Sequence, residues 1–146
     1  MSIFAKLKSA MSGATNKISG RKDFLEAVAA ASALIASADG SVSDDEVLTV
    51  LAAAKANPNL KAAFSETDID NAVNTMLDRA KTGRAGRLSL YKEIEDIKAD
   101  PEMSEIALSI ALDVADSDGT FSDDEKAVAK TIAGKLNLDL NKYLSV

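Results

Sequence analysis

The sequence predicts an all-α fold: a compact bundle of about seven helices, built as two pseudo-symmetric helix-loop-helix halves. Three observations lead there. An acidic stretch at residues 36–46 (ASADGSVSDDE) recurs 79 residues later at 115–125 (ADSDGTFSDDE). In each copy an alanine-rich pattern runs into Asp-Gly and a new helical pattern begins at serine, so the repeated unit is supersecondary. Apolar residues elsewhere recur three and four apart, and no segment shows the alternation of a half-buried strand.

Taken in order, residues 1–20 form a basic arm and residues 21–146 the helical domain. In the arm, Ile3, Phe4, Leu7 and Met11 share one side of a helix, flanked by Lys6 and Lys8. That pattern suits a short interfacial helix on anionic lipid. Ser12-Gly13-Ala14 and Ser19-Gly20 interrupt it, which instead suits a flexible tail. The first helix of the body carries Phe24, Leu25, Val28, Ala31, Leu34 and Ile35 at helical spacing. The second carries Val47, Leu48, Val50 and Leu51 and stops near Asn57-Pro58, because proline excludes the α conformation before it. Leu60 and Phe64 predict one further turn. A third long helix starts near Ser65 or Thr67, buries Ile69, Val73, Met76 and Leu77, and ends at residues 81–83. Leu88, Leu90, Tyr91, Ile94 and Ile97 mark the next helix. Pro101 opens another, through Ile106, Ile110 and Val114 into the second Asp-Gly. The last helix carries Ala127, Val128 and Ile132 to an end near Gly134, and Leu138, Leu140 and Tyr143 fold back as a short turn.

Composition narrows the chemistry. The chain of 146 residues suits one domain, with a net charge of −6. It has no cysteine, so thiolate chemistry and disulfides are excluded and a reducing compartment fits. It has no histidine, which removes Ser-His catalysis and imidazole ligation. With no nucleophile or pocket signature either, the expected protein is not an enzyme. Residues 1–22 carry five basic and no acidic side chains, whereas the remainder carries 12 basic and 23 acidic ones. An acidic body argues against nucleic acid as a partner. A basic tail on it calls for a membrane surface, another acidic protein, or the body itself. A basic stretch of Arg79, Lys81, Arg84, Arg87 and Lys92 reads as a solvated face or an anion site, although Gly83 and Gly86 lack P-loop spacing. No apolar run approaches the length of a membrane span and no secretory signal is visible, so the expected location is cytoplasmic, peripheral at the inner membrane.

The repeated loops admit two readings. Ser43 and Ser122, each followed three residues later by Glu46 and Glu125, make capping boxes that need no ligand. Numbered as a Ca²⁺ loop around Gly40 and Gly119, the same segments place Asp39 and Asp118 at position five, with Glu46 and Glu125 at twelve. Asp116 adds a ligand at position three, where the first copy has Ser37. Position one holds Ile35 and Val114, so neither loop is an orthodox EF-hand. If both copies share one site, its metal ligands are Asp39, Glu46, Asp116, Asp118 and Glu125. Such oxygen donors select a hard divalent cation, Ca²⁺ or Mg²⁺, with weak affinity on the order of 10⁻⁴ M.

The MSIFAKLK arm, the alanine-rich helix ending in SADGSVSDDE and the second helix ending in DSDGTFSDDEK together resemble the TerB family of bacterial tellurite-resistance proteins. The resemblance spans nearly the whole chain. The same domain occurs in DjlA-type membrane-anchored co-chaperones, so fold alone does not fix function. The resemblance implies a helical bundle of about seven helices and a divalent-cation site between the acidic loops, at Asp39 and Glu46 in one loop and Asp118 and Glu125 in the other. It also implies a stress-response setting at the inner membrane, with TerC-like membrane proteins as partners and no established catalysis.

Overall fold

The computed structural model describes residues 20–116 and 121–144. The described residues form eight helices and no strand. These are α1 (Lys22–Ala36), α2 (Asp44–Ala56), α3 (Pro58–Ala63), α4 (Glu66–Ala80), α5 (Arg84–Glu95), α6 (Pro101–Ala115), α7 (Asp123–Lys135) and α8 (Asn141–Leu144). The expectations for the arm fall almost wholly outside the described residues, as does the expected ligand Asp118.

Helix starts follow local chemistry. Ser43, Ser65 and Ser122 each accept from the backbone N–H three residues on, and Asn57 and Asp100 do the same service ahead of Pro58 and Pro101. Proline at the first helical position loses nothing, because its missing N–H would have no partner there. The chain turns out of α7 through Asn137 at φ +60, not through Gly134, which stays helical. Helix α5 stops at Glu95 rather than reaching Ile97. Ile97 is nevertheless buried, carried inward by the turn that follows.

Helix α1 lies at the centre, packed against α2, α4, α5, α6 and α7. The helical spacing of Phe24, Leu25, Val28, Ala31, Leu34 and Ile35 predicts an apolar stripe on it. Instead every residue from Ala27 to Ile35 is buried, so the helix is enclosed on all sides. Alanine makes this possible, since a small side chain lets neighbouring helices approach closely. Ser32, the polar exception, donates its hydroxyl to the Val28 carbonyl at 2.9 Å. Helix α6 is the second central element, with nine of its 15 residues buried. Its Ser104 donates to the Ile97 carbonyl at 3.2 Å, tying α6 to the preceding turn.

Under the repeat, α1 corresponds to α6 and α2 to α7, and both α1 and α6 touch both α2 and α7. The equivalence ends there. Helices α4 and α5 both pack on α1, and α6 holds no comparable pair, so a two-fold relating entire halves is not established. Helices α4 and α5 meet at Gly86, where a Cβ would run into the Arg79 carbonyl oxygen and the Thr82 hydroxyl. Across this close approach Arg79 donates to Glu93 at 3.0 Å and to the Ser89 hydroxyl at 3.2 Å. Part of the basic stretch is thus paired internally, while Lys81 and Arg84 are exposed.

Two outcomes follow from this packing. Ala30 is fully buried in α1, so Ala30→Leu should overpack the bundle and cost about 1–3 kcal/mol, read as a lower urea midpoint. Tyr143 in α8 donates to Glu105 of α6 at 2.9 Å, and its phenol is pushed up to about 12 by burial and by that bond. The protonated phenol favours the fold, so its contribution is complete below the ordinary value near 10 and is lost as pH rises through about 12. Tyr143→Phe should flatten this alkaline loss in a series of thermal melts.

Candidate functional site

The central helices α1 and α6 end at the same end of the bundle. Ile35 and Ala36 from one, and Val114 and Ala115 from the other, line a single cavity of about 240 Å³. The starts of α2 and α7 close over it with Asp45, Glu46 and Thr49 from the first and Ser122 and Glu125 from the second. Asp39, from the turn between α1 and α2, completes the acidic lining. Two segments that are far apart in sequence therefore contribute oxygens to one space.

Each loop reaches this position by its own backbone chemistry. After α1, the Ser37, Ala38 and Gly40 N–H groups donate in turn to Ala33, Ile35 and Ser37 carbonyls, winding the helix down. Gly40 then takes φ +95, a conformation that costs an L side chain heavily. The Asp39 carboxylate accepts from the Ser41 N–H at 3.1 Å, which holds it beside the turn. Both capping boxes are complete. Ser43 Oγ accepts from the Glu46 N–H at 3.1 Å while Glu46 Oε1 accepts from the Ser43 N–H at 3.2 Å. Ser122 Oγ and Glu125 Oε1 repeat the exchange at 3.1 and 3.0 Å. The acids of both helix starts also sit where the helix dipole is positive, which stabilises negative charge.

The sequence-predicted ligands are divided by this geometry. Asp39, Glu46 and Glu125 come together around the cavity. Asp116 is exposed at the end of α6 and does not line it. Asp116 lies instead near Asp113, whose carboxyl is raised by burial and by the Asp116 charge. Asp118 lies outside the described residues. Ser37, at the position that would be a third ligand, turns inward and donates to the Leu34 carbonyl at 3.2 Å. Ile35 and Val114 at position one are buried apolar wall, in agreement with the departure from an EF-hand. Among the described residues, no three carboxylates converge closely enough to hold one ion. The donor set around the cavity is oxygen only, which suits Ca²⁺ or Mg²⁺ in kind.

Asp45 lines the cavity although the sequence marks it only as a helix-start residue, and Ser122, at position nine of the Ca²⁺-loop numbering, lines it too. The repeat itself carries no signal for Asp45, because its counterpart Asp124 does not line the cavity, and neither does Ser43, the counterpart of Ser122. Among the described residues no helix is long and apolar enough to cross a membrane.

Neither a curated protein nor a solved structure matches the chain. A family model described as "Tellurite resistance protein TerB" matches residues 25–144, the span from the first turn of α1 to the end of α8. That span contains both acidic repeats and the cavity between them, and the chain belongs to the TerB family.

Proposed function

We propose that this TerB-family chain is a non-enzymatic module that binds a divalent cation, Ca²⁺ or Mg²⁺, between its two acidic loops and docks to a membrane-associated complex. The observation that supports the reading is the shared cavity, lined by Asp39, Asp45 and Glu46 from one repeat and by Ser122 and Glu125 from the other. Each glutamate spends one oxygen on its cap, which leaves the second for a cation. A hard ion matches such carboxylate and hydroxyl donors. Asp118 from the second loop completes the proposed ligand set, and Asp116, outside the cavity, is left out of it. The arm, residues 1–20, supplies contact with anionic lipid, and a TerC-like membrane protein is the proposed partner.

A second reading is favoured by the completeness of the two capping boxes. In it the acids serve helix starts alone, and the chain is a metal-free interaction domain. The two readings part in an amide NMR titration with Ca²⁺ and Mg²⁺. Saturable shifts at Gly40, Glu46 and Glu125, abolished by either Glu46→Gln or Glu125→Gln, are expected for one shared site with a dissociation constant on the order of 10⁻⁴ M. Shifts absent at millimolar cation would leave the caps as the entire role of these acids.

Resistance to tellurite, in this reading, works through partners. The chain has no cysteine with which to reduce or trap the oxyanion, and its acidic body repels anions. Purified protein should consume no tellurite in the absence of added thiol; consumption under those conditions would overturn the indirect route.

A further inference from the structure

A second and larger cavity, of about 540 Å³, lies at the other end of α1, between its first turns and α4. It is an open groove whose apolar lining includes Leu25, Phe64 and Met76. Leu25 and Met76 are buried, and Phe64 stacks on Phe24 with ring centroids 6.3 Å apart, so this floor is fixed by the core. Glu26 and Asp68 stand on its walls. Among the described residues neither has a basic side chain within ion-pair distance: Lys55 is taken by Glu66 and Asp70, and Arg79 by Glu93. Burial and the nearby Glu93 carboxylate raise the Glu26 pKa against the opposing pull of Lys22, which lines the same groove, and of Arg79.

Gly20, the first described residue, lines the groove and takes φ +74. Glycine tolerates that conformation at no steric cost, so the chain can reverse there and run back over the body. The 19 residues before it contain Ile3, Phe4, Leu7 and Met11 on one helical side, three lysines and no acid. Their chemistry complements the groove in both respects, apolar side chains for the floor and cations for Glu26 and Asp68.

We propose that this groove is the seat of the chain's own N-terminal arm, with the Ile3, Phe4, Leu7 and Met11 side chains against Leu25, Phe64 and Met76 and with Lys6 and Lys8 beside Glu26 and Asp68. Reach is no obstacle. The segment between Met11 and Gly20 extends to roughly 30 Å, and α4 itself is only about 22 Å long. A tether this short gives an effective concentration in the millimolar range, so even a weak contact is occupied within one molecule. A separate partner at cellular concentration has no such advantage. The stripe that would meet lipid is the stripe that fills the groove, so anionic membrane and groove compete for it. That last consequence rests on the membrane contact proposed above, whereas the seat itself does not.

The chain lacks cysteine, so Ser9→Cys in the full-length protein carries one nitroxide label at a unique site, off the apolar stripe. Selective broadening of the Leu25, Asn71, Thr75 and Met76 amides is expected, and reduction of the label should restore them. Adding Phe4→Asp and Leu7→Asp to the labelled chain should abolish the broadening while the remaining spectrum is unchanged. No selective broadening would overturn the proposal. So would broadening that appears equally when labelled, isotope-free protein is mixed with unlabelled ¹⁵N protein, because the occupant is then a second copy. Phosphatidylglycerol vesicles then separate the two readings. Release of the groove on vesicle binding supports the competition, and a groove that stays occupied with no vesicle binding ends the membrane contact while leaving the seat intact.

Discussion

The enclosure of α1 is the constraint from which the other features of this bundle follow. A helix touched on every side has no face for charged residues, and from Ala27 to Ile35 it has none, with the larger side chains limited to Val28, Leu34 and Ile35. The neighbours must therefore come close, and the conformational entropy lost in fixing them is offset by burial over the whole circumference. That closeness brings α6 alongside and sets its C-terminal end beside that of α1. The acidic loops then share a cavity because the helices that deliver them end together.

Electrostatics at that end of the bundle are finely opposed. Two helices finish there, bringing partial negative charge, and two begin there, bringing partial positive charge. The carboxylates of Asp45, Glu46 and Glu125 belong to the beginnings and are stabilised by them. Asp116 belongs to an ending, where the dipole disfavours it, and it also repels Asp113.

Much of this was legible in the chain. The capping boxes at Ser43 and Ser122, the start at Ser65 and the proline starts at Pro58 and Pro101 are local chemistry, and local chemistry is written in adjacent residues. The repeat likewise announced that two loops would be alike. What it could not convey was enclosure, because a run such as Ala29-Ala30-Ala31 has no contrast between faces from which to read a period. The inward turn of Ser37 depends on a carbonyl one helical turn earlier, and loop numbering takes no account of it. Asn137 won the left-handed position from Gly134 because α7 continues a residue beyond that glycine.

The close approach at Gly86 makes the three residues around it unequal in what their replacement would disturb. The ion pair between Arg79 and Glu93 exists only because α4 and α5 are near enough for it to span them, and they are that near because one residue has no Cβ. Losing the pair leaves the helices where they are, whereas losing the glycine moves both partners at once. A side chain at position 86 would therefore be felt at both charges, whereas a change at Arg79 or Glu93 leaves the space at position 86 as it is.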